Sequence, residues 1–180
     1  VMPQVLEYIR FFQEQLGEEG GVYLSDTQGP FDLAHLVRGD DIFTDLYDDP
    51  PFVHHLLKLV THVYIRASVI MKDAIGEPLD GGLHGNSLVM AGGGVRLCED
   101  SSTLLSPKLI DEFVAPYTDR ALQAFGGGWV HYCGRNGHLL TATLDLPSVR
   151  GINFGNAEYH DPAEVMPEVL QRGKVYTGRW

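Results

Sequence analysis

Gly128-Trp129-Val130-His131-Tyr132-Cys133-Gly134 reads as one short β-strand. Glycines bound it, and its interior is aromatic, β-branched or small and buriable, the composition that suits a pleated, half-buried surface. Successive side chains on a strand point to opposite faces, so Trp129, His131 and Cys133 share one face and Val130 and Tyr132 take the other. An imidazole and a thiol then stand side by side, as a strand would present two ligands to one zinc ion.

Outward toward the C-terminus, Arg135-Asn136-Gly137-His138 forms a turn into an apolar segment, residues 139–146, that reads as a helix. Gly151-Ile152-Asn153-Phe154-Gly155 is the next strand and runs into polar Asn156, Glu158, Tyr159 and His160. Asp161-Pro162-Ala163-Glu164 combines a capping acid, a proline and a carboxylate, and starts a helix to residue 171. A short strand at residues 174–177 follows.

Outward toward the N-terminus, Ser106-Pro107 opens a helix over residues 109–125 that Pro116 should break or kink. Residues 95–100 form a second clear strand, with Arg96, Cys98 and Asp100 on one face and Leu97 and Glu99 on the other. Gly92-Gly93-Gly94 before it lacks the order of a nucleotide-binding fingerprint. Residues 81–86 read as a strand end or loop leading into 87–91. Asp48-Asp49-Pro50-Pro51 starts the longest helix, which continues to Gly76. His54, His55 and His62 on it read as surface or boundary residues. Residues 31–37 give one or two helical turns, and Val22-Tyr23-Leu24 a strand that enters the polar loop Ser25-Asp26-Thr27-Gln28-Gly29-Pro30. An amphipathic helix at residues 3–16 opens the chain.

Strands alternating with helices predict a parallel α/β sheet or barrel, whose chemistry gathers at the C-terminal ends of the strands. Ser25-Asp26, Glu99-Asp100, His131-Cys133 and Asn156-Glu158 all fall at such ends. The 180 residues suit a single domain, 1–180. A net charge of -11 argues against nucleic acid and anionic lipid as partners, since both need a basic footprint. No apolar run reaches the ~18 residues of a membrane span, and Val1-Met2-Pro3-Gln4 lacks a secretion-signal pattern. A cytoplasmic protein with two reduced thiols, Cys98 and Cys133, is expected.

Four blocks carry a likeness to a known family: Ser25-Asp26-Thr27-Gln28-Gly29-Pro30-Phe31-Asp32-Leu33-Ala34, Asp45-Leu46-Tyr47-Asp48-Asp49-Pro50, Glu99-Asp100-Ser101 with Leu105-Ser106-Pro107, and His131-Tyr132-Cys133-Gly134. In that order they resemble the uroporphyrinogen decarboxylase superfamily over nearly the whole chain. The resemblance implies a TIM-type parallel (β/α)8 barrel, incomplete here because about five strands are counted and such a barrel needs at least ~200 residues. It implies two activities: metal-free decarboxylation of uroporphyrinogen III, and zinc-dependent methyl transfer from a methyl-corrinoid to a thiol such as coenzyme M. The His-x-Cys pair is similar to the methyltransferase branch.

That branch makes His131 and Cys133 zinc ligands. A third ligand would come from a late Cys absent from this sequence, or from Cys98 or Asp100. Asp100 or Glu158 would orient the imidazole, and the partners would be a small thiol and a corrinoid protein. The decarboxylase branch makes Asp26 or Asp100 the grip on a tetrapyrrole's N–H groups, with Arg38, Arg96 and Arg135 to meet its carboxylates. A third reading is a non-catalytic α/β fragment that oligomerises to cover unfinished sheet edges.

Overall fold

Leu97, Val130 and Ile152 are fully buried and stand at matched positions of three strands, which explains why those strands lie together. The computed structural model describes residues 1–17, 20–25, 27–85 and 88–180. In chain order the elements are α1 (Met2–Leu16), β1 (Thr27–Gln28), α2 (Pro30–Arg38), α3 (Asp41–Asp48), α4 (Pro50–Ile75), β2 (Gly81–His84), β3 (Leu88–Ala91) and β4 (Val95–Cys98). After a 3-10 turn (Ser101–Leu104) come α5 (Pro107–Leu109), a π turn (Ile110–Val114), α6 (Ala115–Gln123), β5 (Gly128–Tyr132), α7 (Gly137–Asp145), β6 (Val149–Phe154), α8 (Pro162–Gln171) and β7 (Val175–Tyr176).

The main sheet has the order β1-β4-β5-β6-β7 and every pairing in it is parallel. It is open, with the two-residue strands β1 and β7 at its edges. Strands β2 and β3 form a separate antiparallel pair. Leu97, Val130, Tyr132, Ile152 and Phe154 share the apolar face, and a core of helix residues that includes Phe31, Leu57, Phe113, Leu122 and Leu139 packs with them. Helix α4 packs on α1, α2 and α6. The register sets Gln28, Cys98, His131 and Asn153 in one row on the opposite face, with Arg96, Trp129 and Gly151 in the row before it.

The helix starts follow their capping residues. Asp49 accepts the Phe52 N–H at 3.1 Å, Asn136 that of Leu139 at 3.0 Å and Asp161 that of Ala163 at 2.8 Å. Elsewhere the structure departs from expectation. Residues 22–24 are not a strand; the strand is Thr27–Gln28, which pairs with Leu97 and Cys98. Gly29 decides this placement, because it donates its N–H to Cys98 O at 2.6 Å and a Cβ there would collide with the Glu99 carboxyl group. Helix α3 is an addition, held by only two buried residues, Ile42 and Leu46, too few to make a legible period. The break expected at Pro116 lies just before it. Proline lacks the N–H that a carbonyl one turn back would take, and the ladder widens to a π turn over Ile110–Val114. Among the described residues, no helix is long and apolar enough to cross a membrane.

Candidate metal centre

Cys133 follows β5 directly, and Asp100 lies two residues beyond β4, so parallel pairing brings both to the same end of the sheet. His131 Nε2 is 3.6 Å from Cys133 Sγ and 3.9 Å from Asp100 Oδ1. One ligand atom from each of the three residues lies within 4.8 Å of the others. Ligand atoms around a tetrahedral zinc stand roughly 3.2–3.8 Å apart, given bonds of about 2.0–2.3 Å. The trio therefore closes on an ion with only small side-chain adjustment.

Second contacts set the direction of each group. Asp100 Oδ1 accepts the Cys133 backbone N–H at 2.6 Å, which ties the end of β5 to the turn after β4. Asn153, opposite His131 on β6, places Oδ1 3.1 Å from His131 Nδ1. The same oxygen accepts from Arg96 Nε at 3.1 Å, and a guanidinium can only donate. Nδ1 then carries the imidazole proton and Nε2 the lone pair, the tautomer a metal ligand needs. Of the orienting groups expected, neither Asp100 nor Glu158 fills that role; Asn153 does. Burial pushes the Cys133 thiol up, and the adjacent Asp100 carboxylate adds to the shift, so a cation must displace its proton at neutral pH.

Gly155, at the end of β6, is the third element of the site. A Cβ there would overlap Cys133 Sγ and come within 3.3 Å of the His131 ring. The missing side chain lets the Cys133 sulfur and the His131 ring pack directly against the backbone of Gly155. Beyond Gly155, Asn156 Oδ1 accepts the Gly134 N–H at 3.2 Å, and His160 Nε2 lies 3.0 Å from Gly134 O, so the residue after Cys133 is held from both sides. His160 stacks on Phe154 at 3.8 Å between ring centres.

Beneath the site lie two buried acids. Asp32 on α2 accepts the backbone N–H groups of Asp100 and Ser101, each at 2.8 Å. Glu99 points to the helix face and accepts from Thr118 at 2.6 Å and Ser102 at 3.1 Å. Burial, with repulsion from Asp32, pushes the Glu99 carboxyl up to about 8, so it stays protonated at neutral pH.

His131, Cys133 and Asp100 thus come together, Asp100 standing where a late Cys or Cys98 was the alternative. Cys98 is buried directly across from His131 on the neighbouring strand but does not join the trio, and Arg96 Nη1 lies 3.7 Å from its sulfur. Glu158 is exposed outside the group; its own backbone N–H and the Asn156 amide at 3.2 Å hold its carboxyl below the usual range. Asp26 lies outside the described residues. The sequence reading does not single out Asn153, Gly155 or Asp32: the first two acquire their roles when β6 pairs with β5, and the third when α2 meets the turn after β4. No protein-family model, curated protein or solved structure matches the chain.

Proposed function

We propose that the chain forms part of a zinc-dependent methyltransferase of the uroporphyrinogen decarboxylase superfamily, which moves a methyl group from a methyl-corrinoid to a small thiol. The observation that carries this reading is the convergence of Asp100, His131 and Cys133 at the C-terminal end of a parallel sheet. The five open strands are read as part of a (β/α)8 barrel, whose chemistry belongs at that end.

The donor set fits zinc: one carboxylate, one imidazole in the ligating tautomer and one sulfur, the sulfur seated against the bare backbone of Gly155. A bound zinc ion supplies the charge that keeps a substrate thiol deprotonated near neutral pH. The chain's own residues hold that geometry: Asn153 fixes the His131 ring, and Asp100 fixes the backbone at Cys133. A cavity of about 810 Å³, lined by Arg96 and Asn153 among others, lies against the hydrogen bonds that support His131. The transfer itself forms a sulfur–methyl bond and breaks the cobalt–methyl bond, leaving the electron pair on cobalt.

Zinc content of the purified chain, measured beside a Cys133→Ser variant and paired with demethylation of methylcobalamin by added thiol, tests the proposal. One zinc per chain, lost with the substitution, together with thiol-dependent demethylation, is the expected result. No zinc in either protein removes the methyltransferase reading and favours the metal-free decarboxylase.

A further inference from the structure

We infer that Asp32 is a positioning residue for the metal centre and acts through Asp100. The inference rests on Asp100 being a ligand, as proposed above. Asp32 is 4% exposed, and among the described residues no cation pairs with it. Burying a carboxylate in this way is costly, and here the cost sits beside two further acids, Glu99 and Asp100. Simple packing would be served better by an apolar side chain.

What the carboxylate does is specific. Its two oxygens accept two consecutive backbone amides, those of Asp100 and Ser101. These N–H groups belong to the peptide planes on either side of the Asp100 Cα. Pinning both planes fixes the backbone angles of Asp100, φ -65 and ψ -46, and with them the direction of its Cα–Cβ bond. From that direction Asp100 Oδ1 reaches the Cys133 N–H and faces His131 Nε2. A neutral amide could not replace Asp32, since it has one acceptor oxygen and would turn an NH2 group against an N–H donor.

Two features make the arrangement tenable. Asp32 sits in the first turn of α2, where the helix N-terminus favours a negative charge. Ser101 is held independently by His35, whose Nδ1 lies 2.8 Å from Ser101 Oγ, so the second clamped amide belongs to an anchored residue. Asp32 is thus the link between α2 and the end of β4 that sets where the Asp100 carboxylate stands.

Zinc affinity is the readout, measured by competition with a chromophoric chelator for the wild-type chain, Asp32→Asn, Asp100→Asn and the double variant, with folding checked by circular dichroism. Asp32→Asn should weaken zinc binding about 10–100-fold, the range typical of a residue that orients a ligand. In the Asp100→Asn background the same change should cost nothing further, because the group it positions is gone. Unchanged affinity in Asp32→Asn, or a loss that adds fully to that of Asp100→Asn, overturns the inference and leaves the metal centre standing. A wild-type chain that binds no zinc overturns both. Should Asp32→Asn not fold, Asp32→Ser takes its place; failure of both to fold would make Asp32 a residue of the fold and overturn the positioning role.

Discussion

Asn153 and Gly155 shape the candidate site as much as Asp100, His131 and Cys133 do. Asn153 is shared between Arg96 and His131, so removing its oxygen takes away the acceptor that faces Nδ1. An Asn153→Ala chain should bind zinc about 10–100-fold more weakly, with His131 and Cys133 both present. Gly155→Ala should do the same by a different route, since its Cβ overlaps Cys133 Sγ and must push the sulfur aside while the backbone, which has no positive φ there, accepts alanine without strain. Its melting temperature should stay close to wild type, and a large fall would show that Gly155 serves the fold instead of the site. His131 and Cys133 were legible from the two-residue strand period, and Asp100 from the face it shares with Arg96 and Cys98. Asn153 and Gly155 were not, because their roles exist only once β6 lies beside β5 in a particular register.

At the scale of elements, β4, β5 and β6 were readable from their alternation and bounding glycines, and α4 and α8 from their acid-proline starts. The first strand was misplaced because Val22-Tyr23-Leu24 has the stronger propensity; pairing with β4 and the fit of Gly29 under Glu99 outweigh it. The buried Glu99 has a consequence for pH. Its folded carboxyl titrates at about 8, against 4.5 when unfolded, and Asp32 and Asp100 are the charges that face it. A raised folded value means its contribution is complete below pH 4.5 and fades as pH rises through 8, so the metal-free chain should lose stability from this group over that window. Glu99→Gln, whose amide can still meet Thr118 and Ser102, should flatten that part of the profile in urea unfolding followed from pH 5 to 8. An unchanged slope would mean that Glu99 is ionised in the folded chain. Leu97→Ala, which empties a fully buried position in β4, should cost about 2–5 kcal/mol in the same experiment.

For the whole molecule, alternation of strand and helix was enough to give an all-parallel main sheet, with its polar loops gathered at one end. Closure was beyond reach, because nothing local in β1 or β7 states what lies next to it. The sheet's two faces divide the labour: one is apolar and buried under helices, the other carries the row Gln28, Cys98, His131 and Asn153. Cobalt(II) reports directly on the site at the end of that row, since the ion takes zinc sites and its absorption registers sulfur ligation and tetrahedral geometry. Titrating the metal-free chain with cobalt(II) should give, at one equivalent, intense visible bands of a tetrahedral ion and a sulfur-to-cobalt charge-transfer band. Cys133→Ser should abolish the charge-transfer band, and Asp100→Asn should weaken binding. A weak octahedral spectrum, or a charge-transfer band that survives Cys133→Ser, would contradict a metal centre built from Asp100, His131 and Cys133.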